Sequence, residues 1–118
     1  AERAWDLRER LLQFALRVLK LAASLPNTPE GRLVRGQVIR CGTSAGAQYR
    51  EACRARSNAE FVSKIESAEQ ELDESDYWLL IVERTGMVKA AKLAPLQQET
   101  RELIIIFAAS ARTAKARR

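Results

Sequence analysis

Arginine is the residue of this chain with chemistry to offer, and its spacing is regular. Between positions 30 and 56 stand Arg32, Arg35, Arg40, Arg50, Arg54 and Arg56. Arg40, Thr43, Ala47, Arg50 and Arg54 step by three and four residues, which on a helix makes one lateral stripe. The C-terminus adds Arg112, Lys115, Arg117 and Arg118 with no acid after Glu102. A guanidinium pairs bidentately with phosphate, so this set could follow a nucleic-acid backbone, RNA or DNA. Cations at a helix C-terminus also complement its dipole, by roughly a few tenths of a kcal/mol each, and that reading covers the tail by itself. No aromatic-rich platform for stacking bases is visible. Contacts to nucleic acid would therefore fall mostly on phosphates and be weakly sequence-specific.

A second group, Gln48, Glu51, Lys64, Glu71 and Glu74, lies along or beside positions where a packed helix expects apolar residues. Buried charge is costly unless paired and hydrogen-bonded. The expectation is a polar network that fixes helix register, in which Lys64 meets Glu51, Glu71 or both and Gln48 completes the set. A catalytic carboxylate pair is the sharper alternative, but it lacks any evident nucleophile or metal. The chain contains no histidine and two cysteines, which removes the commonest general base and metal ligand. There is no Gly-rich phosphate loop and no nucleophile elbow. The composition thus speaks against an enzyme and calls for no cofactor or metal. Cys41 and Cys53 are twelve residues apart on one predicted helix, about 18 Å along its axis, too far for a disulfide.

The elements that must position these residues follow from a seven-residue rhythm. Leu7, Leu11, Phe14, Val18, Leu21 and Leu25 form the first apolar stripe. Val34, Val38, Cys41, Ala45, Gln48, Ala52 and Ala55 form the second. Phe61, Ile65, Ala68, Leu72, Ser75, Leu79 and Val82 form the third, and Leu96, Thr100, Leu103, Phe107, Ser110 and Ala114 the fourth. Pro26-Asn27-Thr28-Pro29 breaks the first helix and caps the second, with Asn27 or Thr28 as the cap. Ser57-Asn58-Ala59-Glu60 reads as a capping box and Gly86 as a left-handed stop. Pro95 belongs in the first turn of the fourth helix. The spacing predicts helices over about 4–25, 29–55, 58–85 and 92–115, in an all-α, antiparallel up-and-down four-helix bundle. At 118 residues this is a single domain, 1–118, able to bury roughly two-thirds of its unfolded surface.

Charge is segregated by helix. Residues 30–56 hold six basic and two acidic groups, residues 57–86 two and eight, and residues 87–118 seven and two. The acids Glu60, Glu66, Glu69, Asp73, Asp76 and Glu83 could meet a neighbour's arginines head to tail, a contact that closes into a ring. Two further features exceed what a lone bundle needs. Ile104-Ile105-Ile106-Phe107 cannot all face one core, and Gly42, Ala45 and Gly46 leave a flank on which another helix can sit closely. Each fits a tight internal contact or a subunit interface, and together they point to a homo-oligomer. No run reaches the ~20 apolar residues that span a bilayer, and the first residues hold no apolar signal core, so the expected location is cytoplasmic.

The run Arg40-Cys41-Gly42-Thr43-Ser44-Ala45-Gly46-Ala47-Gln48-Tyr49-Arg50-Glu51-Ala52 is followed by Ser57, Glu60-Phe61, Lys64-Ile65, Glu71, Glu74 and Tyr77-Trp78-Leu79. It resembles a bacterial four-helix-bundle family, the proteins encoded by intervening sequences within 23S ribosomal RNA genes. The resemblance spans about 5–110, and the family's pattern has Asn at the place of Gln48. It implies an up-down-up-down bundle, a cytosolic protein and assembly as a ring, a homopentamer. A related group serves reverse transcriptases of diversity-generating retroelements and binds nucleic acid through a basic ring surface. The family has no established catalytic residues to carry over. The functional expectation is a non-enzymatic oligomeric scaffold that binds RNA or DNA through helix 2 and the C-terminal tail. The alternative is a protein–protein adaptor whose charges serve self-assembly or a protein partner.

Overall fold

The computed structural model describes residues 4–117, with side chains from Asp6 onward. Four helices follow in order: α1 (Ala4–Ala23), α2 (Pro29–Cys53), α3 (Asn58–Thr85) and α4 (Ala90–Lys115). There is no strand among the described residues. Each helix packs on the next, and α4 returns to α1, more lightly than the other neighbours meet; across the α2–α4 diagonal the rings of Tyr49 and Phe107 meet in the core. Connections of a few residues force consecutive helices to run antiparallel. Cross-helix pairs give the register. Arg40 reaches Glu71 and Glu74 while Lys64 reaches Glu51, so numbering falls on α2 as it rises on α3.

The helix ends are set by local chemistry. Thr28 Oγ1 accepts from Gly31 N at 3.0 Å and Pro29 occupies the first turn of α2, where its missing N–H costs nothing. Ser57 Oγ accepts from Glu60 N at 3.1 Å. Glu60 reaches back one residue beyond the cap, to Arg56 N at 3.2 Å, so the predicted capping box is shifted by one. Gly86 ends α3 with φ 75°, a conformation that a Cβ disfavours. The last carbonyls of α1 have no glycine cap. Instead Arg35 donates to Ala22 O at 3.2 Å and to Leu25 O at 2.9 Å, satisfying orphan acceptors across the turn. Helix α4 begins at Ala90, which places Pro95 in the second turn rather than the first. Its ring removes only the bond to Ala91 O, and Ala91 is exposed to water.

The predicted stripes form the core, with small rotations. Leu7, Leu11, Phe14, Val18, Val38, Cys41, Ala45, Ile65, Leu72, Leu79, Leu103 and Phe107 are all buried. Tyr49 replaces Gln48 on the core side of α2, Val62 replaces Phe61 on α3 and Ala111 replaces Ser110 on α4. At a 3.6-residue period a strict heptad drifts round the helix, so one-residue slips near the ends are expected. The isoleucine run divides. Ile104 and Ile106 pack against the core and Ile105 is 66% exposed.

The glycines of α2 belong to an internal contact. A Cβ at Gly42 would lie 2.7 Å and 2.9 Å from Val18 Cγ1 and Cγ2, and one at Gly46 would lie 3.5 Å from Leu11 Cβ. Gly36 has nothing within 4 Å. Gly36→Ala should therefore stabilise the protein by ~0.5–1 kcal/mol through helix propensity. Gly42→Ala, which gains the same propensity, should destabilise it by a net ~1–2 kcal/mol from overpacking against a β-branched neighbour. Urea unfolding followed by circular dichroism reads both signs, and Val18→Ala in the Gly42→Ala background should restore most of the loss.

Candidate nucleic-acid interface

The segregated charges meet within one molecule. Helix α3, with its surplus of carboxylates, lies between basic α2 and basic α4. On the α2 side Arg40 spans to Glu71, at 3.3 Å, and to Glu74, whose carboxylate also takes the Trp78 Nε1–H at 3.2 Å. Lys64 pairs separately with Glu51 at 2.6 Å. On the α4 side Lys115 pairs with Glu66 at 2.5 Å and Arg101 lies 3.6 Å from Asp76. Gln97 Nε2, on a buried residue, donates to Glu83 at 2.9 Å.

The expected five-residue network is thus two surface pairings. Lys64 holds Glu51 alone, since Glu71 and Glu74 are taken by the longer, forked side chain of Arg40. Gln48 joins neither: its Oε1 is buried without a hydrogen bond. Lys64 is one-third exposed and Glu51 more than half exposed, so the pair is a surface salt bridge worth ~1 kcal/mol or less. On the α1–α4 seam, a bidentate contact adds what sparse packing does not. Arg10 Nε and Nη2 donate to Glu99 at 2.8 Å and 2.7 Å, and Nη2 also reaches Glu102 at 3.1 Å.

These pairings sort the candidate binding residues. Arg40 sits mid-helix against α3 with its charge engaged, away from the other candidates. Lys115 is held by Glu66, and Arg56, almost fully exposed, lies 3.8 Å from Glu60. Arg50, Arg54 and Arg117 have no ion-pair or hydrogen-bond partner among the described residues. Arg112 is near enough to Glu69 to lower its pKa. Arg118 lies outside the described residues. Arg50, Arg54, Arg56, Arg112 and Arg117 all belong to one end of the bundle, where α2 and α4 terminate. Asn58 Nδ2 ties the α2–α3 turn to that end by donating to Ala114 O at 2.9 Å. Glu51, Glu60 and Glu66 at this end each face a cation, Lys64, Arg56 and Lys115 in turn, and Glu69 faces Lys115 and Arg112.

A cleft of about 810 Å³ opens at the same end, lined by Leu7, Tyr49, Phe61, Ile106, Ser110 and Arg117 among others. The sequence reading missed it. Tyr49 and Phe61 are twelve residues apart on different helices, and only the turn at 54–57 brings them to a common wall. A smaller cleft of about 430 Å³ lies at the other end, between Arg17 and Lys20 of α1 and Lys92 of α4. Cys41 is fully buried, with Ser75 Oγ at 3.2 Å from its sulfur. Burial pushes its thiol pKa up, so it is a neutral core residue, whereas Cys53 is exposed. Among the described residues no cluster of Cys, Asp and Glu could hold a metal ion, and no helix is long and apolar enough to cross a membrane.

The fold and the α2–α3 motif agree with one family. The family model for the 23S rRNA-intervening sequence protein matches residues 4–109. The chain belongs to that family. A solved structure from Bacteroides thetaiotaomicron, described as a protein with unknown function from the S23 ribosomal protein family, is similar to it. That structure is 30% identical, with a TM-score of 0.83, over 88% of this chain and 96% of that one. No curated protein matches the chain.

The acidic face of α3 carries a measurable signature. Glu69 has its pKa raised from the ordinary 4.5, first by desolvation, then by Asp73 and Glu66, with Lys115 and Arg112 opposing. Its ionised form is therefore disfavoured by folding, a cost present above the folded-state pKa and absent below about 4.5. Glu69→Gln should raise stability at pH 7 by up to ~0.5 kcal/mol. The gain should vanish as pH falls to about 4.5, as urea unfolding at pH 7 and pH 4 would show.

Proposed function

We propose that the protein is a non-enzymatic, self-associating cytoplasmic scaffold that binds RNA or DNA through the basic end of its bundle. The observation that carries this reading is the gathering at one end of Arg50, Arg54 and Arg117, none with an ion-pair or hydrogen-bond partner among the described residues, beside Arg112. Uncompensated guanidinium groups repel one another, and phosphates relieve that repulsion while releasing counterions. Arg56 reaches the same ligand from the turn, and Arg40 and Lys115 act as parts of the scaffold. A modest patch of this kind gains avidity when several copies present it together. Membership of the family fits the reading without naming a ligand.

Self-association draws on a separate surface. Leu12, Leu16 and Leu19 step by four and three along the solvent side of α1 and are 43%, 50% and 42% exposed. A contiguous apolar stripe on a polar molecule marks an interface, and the partner we propose is a second copy of the chain. The adaptor alternative draws on the same stripe, with a different protein as the occupant and the arginines serving assembly.

Fluorescence anisotropy with RNA and with duplex DNA, across a salt series, tests the nucleic-acid reading. Binding should weaken steeply with salt, and Arg50→Gln and Arg54→Gln should each reduce the slope of log K against log salt by about 1. Their native mass should stay that of the parent protein. Loss of assembly in these variants, with no polyanion binding by the parent at low salt, would establish the adaptor instead. Leu16→Lys should reduce the native mass to the 13.3 kDa of one chain with helicity unchanged, read by light scattering and circular dichroism. An unchanged mass would remove the α1 stripe from the interface.

A further inference from the structure

We infer that the cleft at the basic end receives an unstacked base of a single-stranded nucleic acid. This rests on the nucleic-acid reading above and gives it a structural preference: single strands over duplexes. The cleft's volume, about 810 Å³, lies within the ~300–1,000 Å³ of pockets that hold small organic ligands. Its walls are mixed in the way a base requires. Phe61, half-buried at the start of α3, presents an aromatic surface. Tyr49 forms the wall beside it, its ring held against Phe107 with centroids 5.5 Å apart and planes tilted by 56°. Ile106 adds an aliphatic face.

The polar groups of the cleft are placed for a base edge and a phosphate. Thr43, Ser44, Ser75, Thr85 and Thr100 spend their hydroxyls on carbonyls four residues back along their helices. Ser110 and Thr113, which line the cleft, make no such bond and offer donor and acceptor to a ligand. Arg117 lines the cleft as well, and Arg50, Arg54 and Arg112 belong to the same end. An aromatic pocket with Arg117 in its wall and further arginines at the same end of the bundle complements a base attached to phosphates. It does not complement the like end of a second copy, which would bring arginines against arginines. In a duplex the bases are stacked and paired and cannot enter. Single strands can splay one out, and stacking on an aromatic side chain tolerates any base.

The test uses the whole chain and four probes of one sequence: a 12-nucleotide RNA, the same DNA, and the duplex of each, with 2-aminopurine at a central position. At one salt concentration the single strands should bind about tenfold tighter than the duplexes and change the 2-aminopurine emission on binding. Phe61→Leu, which keeps an apolar side chain but removes the ring, should weaken single-strand binding ~5- to 100-fold, as for loss of one base–aromatic contact. Duplex binding should not move. Ser110→Leu, which narrows the cleft without touching the aromatic wall, should act in the same direction. Equal affinity for single strands and duplexes, with no change in emission, would overturn this inference and leave the phosphate reading standing. So would a single-strand preference indifferent to both substitutions. A changed native mass in Phe61→Leu with unchanged single-strand binding would show that the cleft seats another copy, again overturning it. Failure of every probe to bind would remove both readings.

Discussion

Helix α3 carries eight carboxylates against two cations and must lie somewhere in the bundle. Between α2 and α4 each flank of carboxylates finds arginine or lysine at contact distance, Arg40 on one side and Lys115 and Arg101 on the other, while Lys64 of α3 meets Glu51 of α2. None of these exposed pairs is worth much alone. Their joint effect is on arrangement, because a register slip on either flank sets like charges together. That constraint also decides which cations are left over. Pairing engages Arg40, Arg101 and Lys115 beside α3, while Arg50, Arg54 and Arg117 stand at the bundle end where both basic helices terminate.

The core follows a compatible logic. Small residues on α2 let α1 approach, with Gly42 under Val18 and Gly46 under Leu11. Polar residues enter the core with a partner in hand: Thr100 Oγ1 donates to Leu96 O at 2.7 Å, Ser75 Oγ to Glu71 O at 2.8 Å and Gln97 Nε2 to Glu83 Oε1 at 2.9 Å. The α1–α4 seam has less packing and is closed instead by the Arg10 fork on Glu99 and Glu102. This is also the seam along which both clefts open, the larger toward the C-terminus of α4 and the smaller toward its N-terminus. A bundle that is tight on three seams and bridged by charge on the fourth has its openings where a ligand can reach apolar walls without unpacking the core.

Much of the fold was legible because helices advertise themselves locally. The four stripes, the Ser57 cap, the Thr28 cap (one of the two that the sequence offers) and the Gly86 stop depend on neighbours within a turn or two, and the structure has them there to within one-residue slips of the stripes. The residues that the sequence misassigned depend on partners far away in the chain. Gln48 and Tyr49 compete for one core position, and the winner is set by Phe107 on α4, which stacks with tyrosine and offers nothing to an amide. Glu71 could serve Lys64 or Arg40, and only side-chain reach across the seam decides. Arg35 reads as one more basic residue of α2, yet it donates to carbonyls at the end of α1, because that helix ends without a glycine. The basic end was visible as composition. Its cleft was not, since Tyr49, Phe61 and Ile106 come from three helices and nothing in their spacing announces a shared wall.

The separation of surfaces bears on how one small bundle can both assemble and bind a polyanion. The leucine stripe runs along the middle of α1, on the side away from Leu11, Phe14 and Val18, whereas the uncompensated arginines sit at the end of the bundle. An interface built from Leu12, Leu16 and Leu19 buries apolar surface and adds no charge to the contact, so it does not draw on the cations that would hold phosphate. Copies joined along their sides present their ends in parallel or alternating directions. A heterologous ring whose axis runs along the bundle, or a two-fold pair of parallel bundles, brings every basic end to the same face. A two-fold pairing with opposed axes would place them on opposite faces and forfeit avidity. The proposed avidity thus calls for copies that lie parallel, and a ring, which the family resemblance implies, is one such arrangement.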